Sequence, residues 1–143
     1  MYYVAKLTRE GRHWLVDFPD CPGCQTFGDS KNEALEMATD ALAGWLASLL
    51  KHGELPPVPK SRVGHAMAPV PVPAPLAAVI MIRLRRSKLG LTQKQLAHRL
   101  GVSQQQVAKL EDPDTNSSIA SIEKAMRALG IRLEFVPEVD APR

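Results

Sequence analysis

Three consecutive glutamines, Gln104, Gln105 and Gln106, could read bases in double-stranded DNA if a helix presented them at its N-terminal end. A glutamine amide both donates and accepts hydrogen bonds, which matches the N6 and N7 atoms of adenine in the major groove. Nearby, Arg99 and Lys109 carry the charge needed for contacts with phosphates. The residues that we predict to bind DNA are Gln93, Arg99, Ser103, Gln104, Gln105, Gln106 and Lys109.

The segment that must position these side chains, residues 92–111, has the pattern of two short helices joined by a turn. Thr92 and Ser103 are natural N-caps, because a hydroxyl oxygen accepts from an unpaired amide at a helix start. Gly101 suits a turn that needs a positive φ. Apolar residues at helical spacing supply the contacts between the helices: Leu96, Ala97, Leu100, Val102, Val107 and Leu110. A helix-turn-helix is therefore predicted, in preference to a solvated or protein-binding hairpin.

Charge divides the chain into an acidic part and a basic part. Residues 1–60 hold six basic and eight acidic residues, whereas residues 76–143 hold eleven basic and seven acidic residues. Between Leu76 and Glu111, seven Lys or Arg residues are accompanied by one acid, Glu111 itself. We therefore expect the first part to meet a basic partner and the second part to meet the phosphates of nucleic acid.

The two cysteines, Cys21 and Cys24, form a C-x-x-C pair that could be a redox centre or half of a zinc site. A redox pair needs a helix N-terminus directly behind it, and here Gly28 and Asp29 intervene. No second pair completes a zinc site, although His13 could be a third ligand. A structural turn is the favoured interpretation, and we expect neither a metal nor another cofactor.

The N-terminal part predicts a three-stranded meander followed by a helix. Residues 2–9 and 13–18 alternate in the manner of half-buried strands, and Gln25–Gly28 is a short third strand. Ser30 and Glu33 have the spacing of a capping box, in which Ser30 accepts from the N3 amide and Glu33 accepts from the N-cap amide. The stripe that would pack this helix on the sheet consists of Ala34, Leu35, Ala38, Leu42, Trp45, Leu46 and Leu49.

Seven of the twelve prolines lie in residues 56–75. Pro69, Pro71 and Pro73 occupy alternate positions, so their missing N–H groups would all lie on one side of a strand. Because the opposite side remains able to pair, we predict a fourth strand over residues 66–74 at a sheet edge. The helix before it would form a crossover, which predicts that this strand runs parallel to the first.

Residues 76–88 and 119–129 have apolar residues at helical spacing and predict one helix on each side of the helix-turn-helix. Residues 131–136 then alternate Ile131, Leu133 and Phe135 with other residues, which is a strand pattern without a partner strand. A lone strand is not stable, so we predict that these three residues pair with a second copy of the chain in a homodimer or higher even oligomer. A strand that folds back on its own domain is the alternative.

Together these elements predict an α+β protein with two domains. Residues 1–75 would form a β-β-β-α-β domain with a proline-rich edge strand and linker at 56–75. Residues 76–143 would form an all-helical DNA-binding and dimerisation domain with a C-terminal strand. No apolar run approaches the length of a membrane span and no leader opens the chain, so we expect a cytoplasmic protein.

The sequence resembles the HicB antitoxins of the HicA/HicB type II toxin–antitoxin systems. The resemblance covers nearly the whole chain, and its most specific residues are Phe18, Pro19, Asp20, Pro22, Gly23, Cys24, Thr26 and Gly28, followed by Glu33, Ala34 and Leu35. It implies an N-terminal partial ribonuclease-H-like fold without catalysis, which binds and covers the small basic ribonuclease HicA. It also implies that the C-terminal domain binds the operator of its own operon. Cys21 departs from the aliphatic residue that is usual at its position.

The resemblance also implies roles for individual residues. Toxin contacts are expected from a rim that contains Asp17, Phe18, Asp20, Pro22 and Cys24. Its carboxylates can meet basic residues of the toxin, and solvated loop charges are the alternative. Because residues 92–111 resemble phage repressors, Gln93 is expected to contact a phosphate and to brace Gln104. A dimer of such domains would bind an inverted repeat in the operator.

The sequence leaves two other functions open. The chain could be a stand-alone transcription regulator whose N-terminal domain senses a small ligand or oligomerises. It could also be a metal-dependent nuclease that uses Asp17, Asp20 and Glu33, although the clustered carboxylates that two metal ions require are not apparent. An antitoxin and autorepressor, without enzymatic activity, agrees best with the charge division and with the resemblance.

Overall fold

The structure, a computed structural model, describes residues 1–137. The elements follow in the order β1 Tyr2–Glu10, β2 His13–Asp17, β3 Gln25–Gly28, α1 Lys31–Lys51, β4 Met67–Pro71, α2 Ala74–Lys88, α3 Gln93–Leu100, α4 Gln104–Leu110 and α5 Ile119–Ala128. A sheet with one helix is thus followed by a helical part, which confirms the predicted α+β class. None of the helices in this part of the chain combines the length and the apolar character that a membrane crossing needs.

The four strands form one antiparallel sheet in the order β3-β2-β1-β4. Strands β1 and β2 form a hairpin in which Glu10 pairs with His13, and β3 pairs with β2, so the predicted meander is confirmed. Alternation along β1 places Tyr3, Ala5 and Leu7 on one face, where all three are buried. The first hydrophobic core lies between this face and α1.

Local hydrogen bonds fix the residue at which α1 begins. The Ser30 hydroxyl accepts from the Glu33 amide at 3.1 Å, as predicted. The Glu33 carboxylate instead accepts from the Asp29 amide at 2.9 Å, one residue before the predicted N-cap amide. Gly28 allows the helix to begin directly on the sheet, because a Cβ there would lie 2.4 Å from the Ala34 nitrogen. The buried residues of α1 are Ala34, Ala38, Leu42, Leu46 and Leu50.

Strand β4 lies at the edge of the sheet and pairs with β1, as the alternate prolines predicted. The Leu7 amide donates to the Ala66 carbonyl at 2.8 Å. The backbone groups of even-numbered residues in this segment therefore face β1, and Pro69 and Pro71 direct their missing donors outward. The strand is shorter than predicted, because it ends at Pro71 and Pro73 is the N-cap of α2. The outer edge of β4 resists the addition of a further strand.

The prediction that β4 runs parallel to β1 is wrong, because the two strands pair antiparallel. The chain does not enter β4 directly from α1, but first passes through residues 53–66, which form neither helix nor strand. The Tyr3 hydroxyl donates to the Pro57 carbonyl at 2.6 Å, whereas Ala66 lies beside Leu7. This segment has therefore travelled along β1 before β4 begins, and β4 runs back in the opposite direction.

Helix α2 contributes to two hydrophobic cores. Leu76, Val79 and Ile80 complete the core of the sheet and α1, whereas Ile82 belongs to the core of the helix-turn-helix. The other buried members of this second core are Leu96, Ala97, Leu100, Val107, Leu110, Ala125, Met126 and Leu129. The predicted domain boundary between residues 75 and 76 stays a prediction, and the predicted end of the second domain, residues 138–143, lies outside the described residues.

Residues 131–137 follow α5 without forming a strand within the single chain. Ile131 and Leu133 are partly buried against the second core, while Phe135 is 77 % exposed. The strand predicted over residues 131–136 is therefore not formed here, because a strand requires a hydrogen-bonded neighbour. Pairing of this segment with a second copy stays a prediction.

Candidate nucleic-acid interface

Capping boxes fix the start of both helices of the helix-turn-helix. The Thr92 hydroxyl accepts from the Gln95 amide at 3.0 Å, and the Gln95 side-chain oxygen accepts from the Thr92 amide at 2.9 Å. Ser103 and Gln106 form the same pair of bonds at 3.2 and 3.3 Å. Between the helices, Gly101 has a φ of 67°, the left-handed conformation predicted for the turn. Short-range hydrogen bonds thus set where each helix begins.

Two of the predicted DNA-binding residues, Ser103 and Gln106, serve in the second capping box. Their side-chain oxygens already accept from backbone amides at the start of α4. The spacing Ser/Thr-x-x-Gln is the sequence signal that identifies both capping boxes. Gln104 and Gln105 lie between these two residues, and both are exposed. They are the glutamines best placed for base contacts.

Positive side chains are also exposed on both helices of the helix-turn-helix. Lys109 lies in the last turn of α4 and Arg99 in the last turn of α3, and both side chains are exposed. A shallow depression on α3 also contains Lys94 and His98. The helix-turn-helix therefore offers exposed amide groups at the start of α4 and exposed positive side chains on α3 and α4, which suit base edges and phosphates respectively.

Three arginines that contributed to the predicted basic excess are used inside the protein. Arg83 Nη1 donates to the Leu50 carbonyl at 2.9 Å, and Arg85 Nε donates to the carbonyl after the last turn of α5 at 2.8 Å. Arg86 donates two hydrogen bonds to the Glu111 carboxylate, at 2.6 and 2.8 Å. The electrostatic footprint is therefore smaller than the sequence count implied, and its exposed members are Lys88, Lys94, Arg99 and Lys109.

Glu111, which directly follows α4, is 2 % exposed. Besides the two bonds from Arg86, its carboxylate lies 3.6 Å from Arg83 Nε. An unpaired carboxylate at this position would lose its hydration without compensation, so the arginines are required for its burial. Sequence reasoning missed this cluster because a lone acid among basic residues has no pattern that signals burial.

The resemblance implies that Gln93 braces Gln104, but the structure gives Gln93 a different partner. Its Nε2 donates to Glu111 Oε1 at 3.4 Å. Gln93 is the first residue of α3, and its side chain is partly buried. A contact between Gln93 and a phosphate stays a prediction, and such a contact would compete with Glu111 for the same amide.

The five residues predicted to contact a toxin do not share one accessible surface. Phe18 and Cys24 are 2 % and 3 % exposed, and their side chains pack in the first core. They cannot touch a partner in this conformation, because the surrounding core covers them. Asp17 is partly exposed and Pro22 is exposed. Toxin contact by these last two residues stays a prediction.

Asp20, the fifth residue of this set, holds the segment between α1 and β4. Its Oδ2 accepts from the amides of Lys60 and Ser61 at 2.8 and 2.9 Å, and its Oδ1 accepts from the Ser61 hydroxyl at 2.9 Å. The hydrogen bond from the Ser61 amide is the main cause that lowers the pKa of Asp20 below its ordinary value of 3.8. Asp20 is therefore a structural anchor.

Cys21 and Cys24 lie in a buried turn. The Cys21 amide donates to the Phe18 carbonyl and the Cys24 amide donates to the Cys21 carbonyl, both at 3.0 Å. Burial raises the pKa of Cys21 to about 12 and that of Cys24 to about 11, so both remain thiols near neutral pH. His13, the possible third zinc ligand, instead has its Nδ1 atom 2.9 Å from Asp29 Oδ1. Within residues 1–137, no group of three His, Cys, Asp or Glu side chains is arranged to hold a metal ion.

Known proteins match both the helix-turn-helix by itself and most of the chain. Residues 82–136 match a family described as helix-turn-helix. Antitoxin HicB 1 of Photorhabdus laumondii subsp. laumondii is 35 % identical over 120 residues, which are 84 % of this chain and 76 % of the relative. Antitoxin HicB 2 of the same organism is 32 % identical over 136 residues, which are 95 % and 96 % of the two chains. Antitoxin HicB of Escherichia coli (strain K12) is 29 % identical over 138 residues, which are 95 % and 99 %.

Proposed function

The chain belongs to the HicB antitoxin family, and from this premise we propose two activities. Its N-terminal part binds and neutralises a small HicA-type ribonuclease toxin. Its helix-turn-helix binds the operator of its own operon and represses transcription. Both partners are cytoplasmic, which is where we place the protein, and we assign it no catalytic activity.

The observation that supports operator binding most strongly is the exposure of Gln104 and Gln105 at the start of α4. The capping box of Ser103 and Gln106 holds this helix end, so the two amides project from a fixed backbone. In a major groove they would lie at base edges, with a preference for adenine. Lys109 would contact a phosphate.

Toxin binding is supported by charge and by one exposed region of the sheet. Residues 1–60 are net acidic, which complements a basic toxin. The sheet face opposite α1 carries Leu15 and Phe27, which are 37 % and 58 % exposed, and both border a depression that also contains Asp17. Exposed apolar side chains next to a carboxylate are typical of a protein interface. We therefore propose that this face, rather than the whole predicted rim, contacts the toxin.

We also propose that two copies of the chain form a dimer through residues 131–136. Leu133 and Phe135 line an apolar cavity of about 210 Å³ together with Val79 and Leu110. A second copy could pair with this segment and cover the cavity. The dimer would place two α4 helices on an inverted repeat, with half-sites about one helical turn apart or a multiple of it. Deletion of residues 131–143 should give monomers in sedimentation, and an unchanged dimer would rule out this interface.

Co-expression with the adjacent small reading frame tests toxin neutralisation directly. We expect the full chain to rescue growth and to purify as a complex with that gene product. Asp17→Asn removes one carboxylate from the proposed interface and should weaken the complex, whereas Glu123→Gln, on the exposed side of α5, should not. A chain that binds the operator, rescues no growth and releases DNA only with a small ligand would instead be a stand-alone regulator.

A further inference from the structure

Arg83 lies between α1 and the helix-turn-helix and has a partner in each. Its Nη1 donates to the Leu50 carbonyl, in the last turn of α1, at 2.9 Å. Its Nε lies 3.6 Å from Oε1 of Glu111, which directly follows α4. The Arg83 side chain is 19 % exposed, so both contacts are largely shielded from water.

The contacts continue from Glu111 to the surface proposed to bind DNA. The oxygen that faces Arg83 also accepts from Gln93 Nε2 at 3.4 Å. Gln93 begins α3, where the predicted phosphate contact would form. Leu50 is therefore connected with Gln93 by a hydrogen bond to Arg83, an ion pair between Arg83 and Glu111, and a hydrogen bond between Glu111 and Gln93.

Helix α2, which carries Arg83, packs in both hydrophobic cores. Ile80 lies in the first core and Ile82 in the second, and both are fully buried. The helix cannot shift without disturbing one of the two cores. The side chain of Arg83, rather than its backbone, is thus the part that can respond when either partner moves.

We infer that Arg83 is a positioning residue that couples the last turn of α1 to the DNA interface through Glu111 and Gln93. This inference rests on the proposed operator binding. When Gln93 turns toward a phosphate, Glu111 loses a donor, and Arg83 can compensate by moving closer to the carboxylate. That movement pulls on its hydrogen bond to the Leu50 carbonyl. Because coupling is reciprocal, a partner that displaces α1 also changes how readily Gln93 leaves Glu111.

An operator titration of the full chain, followed by amide NMR signals, tests this coupling. In the wild type, operator DNA should shift the signals of Gln104 and Gln105 by contact and those of Lys51 and His52 by coupling. Arg83→Gln removes the charge that Glu111 attracts. Arg83→Lys keeps the charge but lacks the separate Nη1 and Nε donors that serve the two partners. Both variants should retain the shifts at Gln104 and Gln105, the first set, and lose those at Lys51 and His52, the second set.

Asp114→Asn is the matched control, because it removes a different contact between the two parts. Asp114 and Lys51 form an exposed ion pair at 3.3 Å. An exposed ion pair of this kind contributes little to the stability of the fold. This variant should retain both sets of shifts. Wild-type signals of Lys51 and His52 that do not move, or an Arg83→Lys variant in which they still move, would overturn the inference. Unmoved signals at Gln104 and Gln105 would contradict operator binding itself, and the inference with it.

Discussion

The helix-turn-helix and the N-terminal turn show how differently predicted functional residues can be used. Gln104 and Gln105 lie exposed on a helix end, as the sequence predicted. In the N-terminal turn, Phe18 and Cys24 belong to the core, and Asp20 anchors a distant segment. The capping bonds that position the glutamines join residues three positions apart, whereas Asp20 bonds to residues 40 and 41 positions away. Sequence spacing therefore predicts which candidate side chains are exposed only where short-range contacts determine their surroundings.

Glu111 is the exception to this contrast, because long-range ion pairs bury it inside the helix-turn-helix. Glu111→Ala leaves Arg86 without its carboxylate and should lower the free energy of unfolding by about 3 kcal/mol, measured by urea unfolding. Glu123→Ala, which removes an exposed ion pair with Arg127, should lower it by less than about 1 kcal/mol. Equal losses in the two variants would show that the buried cluster has no special importance for folding.

Gln104→Ala tests whether the exposed helix end reads sequence. Loss of one bidentate base contact should weaken operator binding by about 1 to 3 kcal/mol, with little change on random DNA, because only the operator presents the matching base. Fluorescence anisotropy with the two duplexes measures both affinities. Equal weakening on both would mean that Gln104 contacts the backbone instead.

In the N-terminal turn, Asp20→Asn tests the anchoring role. The amide keeps the shape of the side chain but loses the charge, and the free energy of unfolding should fall by about 1 kcal/mol near neutral pH. The folded chain lowers the pKa of Asp20, so this contribution is complete above the ordinary value of 3.8 and is lost as the pH falls through the folded pKa.

Urea unfolding of wild type and Asp20→Asn at several pH values measures this dependence. The two curves should converge in acid and separate as the pH rises. Asp40→Asn, on the exposed side of α1, is the control and should match the wild type throughout. A difference between Asp20→Asn and wild type that is the same at every pH would show that the charge of Asp20 does not hold the segment.

Lys109→Ala should change a free energy less than Glu111→Ala, Gln104→Ala or Asp20→Asn does. Removal of one phosphate contact weakens binding to operator and random DNA alike and reduces the slope of log affinity against log salt by about one unit. Lys124→Ala removes a similar charge from α5 and should leave the slope unchanged. If both variants change the slope equally, a diffuse positive field rather than a contact at Lys109 attracts the DNA.

The elements of this fold were predictable where a short period or a local rule determines them. Alternation identified β1 and β2, and the alternate prolines identified β4 as an edge strand. The direction of β4 was not predictable, because it depends on how residues 53–66 return along β1. That path is held by Tyr3 and Asp20, whose partners no sequence pattern indicates.

The number of charged residues in the sequence likewise predicted the candidate DNA interface only in part. The count of basic residues between Leu76 and Glu111 predicted contacts with phosphates, but Arg83, Arg85 and Arg86 are occupied by internal acceptors. Which arginine is exposed depends on the packing of α2 between two cores, and composition contains no information about that packing. The capping residues were predictable because their partners lie within one helical turn.

We propose that one chain neutralises a toxin with its N-terminal part and reads DNA with its helix-turn-helix. Growth rescue and repression of an operator-controlled reporter, measured in the same cells with Gln104→Ala, test it most directly. We predict that this variant rescues growth as well as the wild type does and fails to repress the reporter. A folded Gln104→Ala chain that loses growth rescue, or one that represses as the wild type does, would contradict the division of the two activities.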